Sequence, residues 1–156
     1  LMGKFSGKVK AEFNPPRRWA LLEPLSYRAD ELTDHEVNAL EKVGVTIPSK
    51  VVTVPTKFLT DLASVPRICW SFIAPWDVAR AAIIHDFLYK AIRQYRWNNA
   101  PEDHIAVKRA KTASDTVFLM GMRDADPPVP KWKIYLAYKA VHFFGNISIT
   151  PTKSNI

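Results

Sequence analysis

The segment Trp76 to Arg96, "WDVARAAIIHDFLYKAIRQYR", constrains the fold more than any other part of the chain. At about 100° per residue, Val78, Ala81, Ala82, His85, Tyr89 and Ile92 fall on one face, which predicts a long amphipathic helix. Asp77 suits its N-cap. The run also buries a difficulty in its middle: an imidazole and a carboxylate side by side among apolar groups. Adjacent residues on a helix do not face each other. His85 and Asp86 therefore cannot form a dyad with one another, and each requires its own partner.

Upstream of Asp61 the sequence is strand-rich. "KVKAEF" alternates, "RRWALLEPLSYR" reads as two short strands broken at Pro24, and "SKVVTVPTKFLT" as a strand, a turn and a second strand. Between them Thr33 and Glu36 have capping-box spacing and Gly44 suits a C-cap, so a short helix is expected from Asp34 to Val43. Downstream of the Trp76–Arg96 segment, Pro101 with Glu102 and Asp103 suits the first turn of a helix running to about Arg123. "DADPPVP" breaks the pattern. A last helix is expected from Lys131 to Phe144, ended by Gly145, and the tail 146–156 is expected to be loosely held. The pattern predicts one α+β domain over 1–156. Residues 1–60 would be strand-rich, with a small antiparallel N-terminal sheet, and 61–145 would form a core of three packed helices.

The chain has 156 residues and 22 Lys and Arg against 15 Asp and Glu, a formal charge of +7. That balance favours an anionic partner, such as anionic lipid, an acidic wall polymer or nucleic acid. Nucleic acid has the weakest support, because no RNA-recognition signature is present. "KRAK", Lys108 to Lys111, is expected on a solvated helix face. No apolar run approaches the roughly 20 residues that span a bilayer, and no signal peptide is visible. The single Cys69 excludes an internal disulfide framework and is expected to be buried.

Several residue groups could carry chemistry. His85 on an apolar face would be desolvated, which favours the uncharged imidazole that a general base must be. It would need an orienting carboxylate, and Asp115, mid-helix in "TASDTVFLMGM", could approach it if the two helices pack antiparallel. The plainer alternatives are a satisfied core histidine and a surface Lys111–Asp115 pair. Asp86 could pair with Lys90 or Arg93. Asp61, in "FLTDLASVPR", has the setting of a turn cap. Ser64 could be a nucleophile for His85, although no G-x-S-x-G elbow surrounds it. A metal-dependent phosphohydrolase built on the His-Asp pair would need His35 and Asp124 as further ligands.

The ordered motifs "TDLASVPR", "ARAAIIHDFLY", "SDTVFLMGM" and a closing helix ending "AVHFFG" resemble a phage- and prophage-associated small domain family of unknown function. The resemblance covers Val51 to Gly145. It implies a setting in the bacterial host cytoplasm or in a virion, with other phage proteins as partners. More narrowly, "AAIIHDFLY" followed by "ASDTVF" resembles the core of parvoviral capsid phospholipases. That resemblance implies His85 as the base that activates water, Asp115 as its orienting carboxylate, Tyr89 as support and Asp86 as a calcium ligand, while Asp61 could supply a side-chain ligand in place of that family's loop carbonyls. The chain departs from those enzymes in having no glycine between Gly44 and Gly121, where they carry a Gly-rich loop. Two expectations follow. One is a phospholipase-like hydrolase using His85 and Asp115. The other is a non-catalytic virion, tail or accessory module in which Asp61, His85, Asp86 and Asp115 form a structural polar network. A His85–Asp115 contact open to a cleft favours the first, and a contact sealed from solvent, behind Trp70, Trp76 and Trp132, favours the second.

Overall fold

A computed structural model describes residues 5–16, 18–61, 78–101, 103–125 and 128–156. The order of elements is β1 (Ala11–Asn14), β2 (Arg18–Leu21), β3 (Leu25–Arg28), α1 (Asp34–Lys42), β4 (Val51–Val54), β5 (Leu59–Thr60), α2 (Ala79–Asn98), α3 (His104–Arg123) and α4 (Lys131–Ser148). The α+β expectation holds: small antiparallel sheets come first and helices follow. The strands divide into two sheets rather than the one expected. β1, β2 and β5 form the first, with Ala11 opposite Leu21 and Trp19 opposite Thr60, and β3 and β4 form the second, with Leu25 opposite Val54 and Tyr27 opposite Val52. Pro24 marks the place where the chain leaves one sheet for the other.

α1 is set by its ends. The Thr33 hydroxyl accepts from the Glu36 amide, while the Glu36 carboxylate accepts from the Thr33 amide, closing the expected capping box. At the other end Gly44 takes φ +93°, and the amides of Gly44 and Val45 donate back to the carbonyls of Glu41 and Leu40. This Schellman arrangement needs the left-handed conformation that glycine adopts without a Cβ penalty.

α3 is the central helix, packing against α1, α2 and α4. α2 packs against α3 on one side and touches β3, β4 and β5 on the other. That is why its burial extends beyond the expected face to Ile83, Asp86 and Leu88.

Three boundaries differ from expectation. α3 begins at His104, not near Pro101, because the Asp103 carboxylate accepts from the amides of Ile105 and Ala106 and so caps the helix two residues later. α4 does not stop at Gly145 but continues to Ser148, with Gly145 buried in its interior. The tail, expected to be loosely held, is tied to α2: Arg93 donates to the carbonyls of Ser148 and Asn155, Arg96 donates to that of Ile149, and Ile149 is buried. Ser64, Cys69, Trp70, Trp76 and Asp77 lie outside the described residues.

Candidate functional site

α2 presents His85 and Tyr89 one turn apart, and α3 presents Lys111 and Asp115 one turn apart. The two pairs meet between the helices. Asp115 Oδ1 lies 2.8 Å from His85 Nε2 and 2.6 Å from the Tyr89 hydroxyl, and its Oδ2 lies 2.8 Å from Lys111 Nζ. Lys111 Nζ also donates to the carbonyls of Val141, at 3.3 Å, and His142, at 3.0 Å, on α4. All three ammonium hydrogens are thereby placed. The His85 ring packs on Tyr89 and Phe118, with centroid separations of 4.0 Å and 4.9 Å.

The electrostatics follow from burial and donors. Burial alone would raise the Asp115 carboxyl. The donors His85, Lys111 and Tyr89 override it and hold the group below its ordinary value. An ionised carboxylate only accepts, so His85 Nε2 carries the hydrogen. Burial first, and then the Asp115 charge, push the Tyr89 hydroxyl upward. His85 and Asp115 are both 0% exposed. Trp132 takes no part in sealing the pair, being 56% exposed, whereas the rings of Tyr89 and Phe118 do.

Asp86 looks the other way, as the helical geometry requires. It accepts from the Thr60 hydroxyl of β5 at 2.8 Å. Burial raises its carboxyl above the usual range, with Thr60 and Arg93 opposing the shift. Of the two cations considered for Asp86, Arg93 is the one that acts on it. Burial lowers the Arg93 guanidinium, and the charges of Asp86 and Asp61 counter this. Lys90 instead lies over the Phe58 ring. Asp61 is exposed. Asp61, Asp86, Lys90 and Arg93 line an open cavity of about 230 Å³, which the residues of the tail help to close.

The side chains lining it offer oxygens from the Asp61 and Asp86 carboxylates and from Ser148, Ser154 and Asn155, beside the Arg93 guanidinium. Calcium takes about 6–8 oxygen ligands. Asp61 and Asp86, the two side chains named for calcium above, both line this cavity. Among the described residues no three His, Cys, Asp or Glu side chains gather as a metal site. The phosphohydrolase ligands do not gather either: His35 is exposed on α1, while Asp124 accepts from the Tyr27 hydroxyl at 2.6 Å.

Sequence reasoning misplaced one participant and missed two. Lys111 was placed in a surface pair, yet it is buried with Asp115. Its i,i+4 spacing to Asp115, matched by that of His85 and Tyr89, was the available signal. Thr60 gave none beyond its position next to Asp61. Gly145 looked like a helix end, but its role is close approach: a Cβ there would run into the Tyr89 hydroxyl and lie 3.0 Å from Lys111 Cε.

The fold and the site define a small α+β protein whose helices meet on a buried cluster of His, Asp, Tyr and Lys. The chain belongs to the family described as Protein of unknown function (DUF1353), whose model matches residues 37–141 and includes all four residues of the cluster. Searches of curated proteins and of solved structures gave no match.

Proposed function

We propose that the protein is a non-catalytic binding module, of the phage virion, tail or accessory kind that the first resemblance implies. In this reading the His85–Asp115–Tyr89–Lys111 cluster is a clamp that fixes α2, α3 and α4. One observation carries it: His85 and Asp115 are 0% exposed while both carboxylate oxygens are taken by internal donors. A general base has to come within hydrogen-bond reach of the proton it removes, and in this structure the His85 ring presents no surface to solvent. A satisfied polar network of this sort specifies one packing of a core.

A second reading, ester hydrolysis, is favoured by one specific feature. A single Asp115 oxygen receives both His85 Nε2–H and the Tyr89 hydroxyl, while the next residue, Asp86, lines an open cavity with Asp61. His85 would take a proton from water as its oxygen adds to the ester carbonyl, and would return it to the departing alkoxide.

One pair of measurements separates the two. Turnover of a phospholipid and of a simple aryl ester is followed for the wild type and His85→Ala, with and without calcium, and the unfolding free energy of both proteins is measured. The clamp reading expects no turnover above background in either protein and a loss of about 2–4 kcal/mol in the variant, from cavity formation and the orphaned carboxylate. Wild-type turnover that falls by about 10²-fold or more in the variant, the size of a general-base contribution, would overturn it.

A further inference from the structure

α4 is apolar on two opposite faces. Ile134, Ala137, Val141 and Gly145 are buried. At about 100° per residue, Trp132, Leu136, Phe143 and Ile147 lie on the other side, and they are 56%, 41%, 67% and 78% exposed. A surface helix is normally polar on its outer side, and a helix apolar all round is covered all round. Single exposed apolar residues need no explanation, but a continuous stripe marks an interaction surface.

The charges around the stripe have one sign. Lys131, Lys133 and Lys139 lie on α4, and the helix contains no Asp or Glu. The cations stand among the rings: Lys133 Nζ is 5.7 Å from the Trp132 ring centroid, and Lys139 Nζ is 5.5 Å and 5.9 Å from those of Tyr135 and Phe143. This arrangement selects among occupants. A second copy packed face to face would oppose lysines with lysines, with no carboxylate on either helix. An anionic bilayer surface satisfies both features at once. Amphipathic rings and apolar side chains settle at the acyl–headgroup boundary, and lysine stems reach the phosphates above it. No described helix is long and apolar enough to cross a membrane, so α4 would lie in the plane of the surface.

We infer that the outer face of α4 docks on an anionic lipid surface, with Trp132, Leu136, Phe143 and Ile147 inserted and the lysines on the headgroup phosphates. The inference rests on the binding-module reading only in naming its partner. Turnover in the assay above would overturn that reading and leave this face as it stands.

The test is co-sedimentation of the full chain with vesicles of phosphatidylcholine alone and of phosphatidylcholine with phosphatidylglycerol. Three proteins are compared: the wild type, Phe143→Ser with Ile147→Ser, and Lys131→Gln with Lys133→Gln and Lys139→Gln. All the substitutions are at exposed or half-buried positions of α4, and circular dichroism checks that each protein is folded. Wild type is expected on anionic vesicles at low salt. The serine variant should partition about tenfold less or worse. Each lysine near an anionic surface contributes roughly fivefold, so the glutamine variant should lose on the order of a hundredfold and with it the preference for anionic lipid. The proposal fails if wild type binds neither vesicle, or if the serine variant binds as wild type does. It also fails if sedimentation equilibrium shows a wild-type dimer that the serine variant cannot form, since the face would then belong to a second copy.

Discussion

Gly145→Ala reverses the sign that helix propensity alone assigns it. Inside a helix, alanine in place of glycine is favourable by about 1 kcal/mol. Here the new Cβ would run into the Tyr89 hydroxyl, 3.0 Å from Lys111 Cε and 3.2 Å from Tyr89 Cζ. Neither side chain is free to retreat, because the hydroxyl is held 2.6 Å from Asp115 and the ammonium 2.8 Å from it. Overpacking a filled core costs about 1–3 kcal/mol. Displacing the hydroxyl from a charged acceptor costs about 1.5–3 kcal/mol more. Less the propensity gain, the expected net destabilisation is about 3 kcal/mol, within roughly 1.5–5. Tyr89→Phe removes the oxygen that the Cβ meets, and by itself costs about 1.5–3 kcal/mol for the lost donor. In that background Gly145→Ala should cost at least about 1 kcal/mol less than it does in wild type, a coupling of the size that contacting residues show. Urea unfolding of the four proteins at pH 7, followed by far-UV circular dichroism, measures the cycle. A Gly145→Ala protein as stable as wild type, or costs that simply add, would refute the close-approach account of this glycine.

The remaining predictions concern charge. Lys111→Met leaves the Asp115 carboxylate without its cation in a closed site, and the expected loss is about 3–5 kcal/mol by chemical denaturation; a loss below about 1 kcal/mol would show that the pair contributes little. Asp115 is held below the ordinary carboxylate value. Its contribution is thus complete above about pH 4 and fades as pH falls from there through its folded value, so the cost of Asp115→Asn should shrink between pH 7 and pH 3. Asp86 is raised by burial, so the unfolded chain gives up that proton first and folding weakens as pH climbs through the carboxylate range. Asp86→Asn should therefore gain stability relative to wild type at pH 7 compared with pH 3, and an unchanged difference at the two values would count against the burial argument.

Local chemistry made parts of the fold legible. The Thr33–Glu36 capping box, the break at Pro24 and the start of α4 at Lys131 are short-range signals, and each element formed where its signal stood. The errors arose where one residue type serves two ends. A proline suits a first turn, but at Pro101 the side-chain acceptor two residues on, Asp103, decides the start of α3. A glycine can mean a left-handed cap or a close approach; Gly44 is the first and Gly145 the second. The sequence around each does not separate the two, since the obstruction at Gly145 comes from α2 and α3. Strand partners were illegible for a similar reason: β2 with β5 and β3 with β4 are pairings across long separations. In the site, His85 was legible from the periodicity of α2, and its pairing with Asp115 from the need for an orienting carboxylate and from the motif resemblance. Lys111 was not, because a lysine in a basic run reads as solvated. Its burial depends on the two α4 carbonyls that receive its hydrogens.

The one-residue offset between His85 and Asp86 explains why α2 carries polar groups on both sides. Its buried apolar side chains are Ala81, Ala82, Ile83, Ile84, Leu88, Tyr89 and Ile92, mostly small or aliphatic groups whose packing is not directional. Apolar packing alone would set the position of such a helix weakly. The bonds from His85 and Tyr89 to Asp115 on α3, and from Thr60 on β5 to Asp86, are directional. A slip of one residue turns the helix by about 100°. It would carry Ile84 or Asp86 to the place of His85. Ile84 offers Asp115 no donor, and Asp86 would set one buried carboxylate against another, with Lys111 the cation bonded there among the described residues. The first outcome leaves a buried carboxylate oxygen short of its donors and the second adds an uncompensated buried charge, and both cost more than apolar contacts lose in the slip. On this argument the pair fixes the register of α2 against α3 and β5 together, and α4 is then held by the carbonyls that complete Lys111.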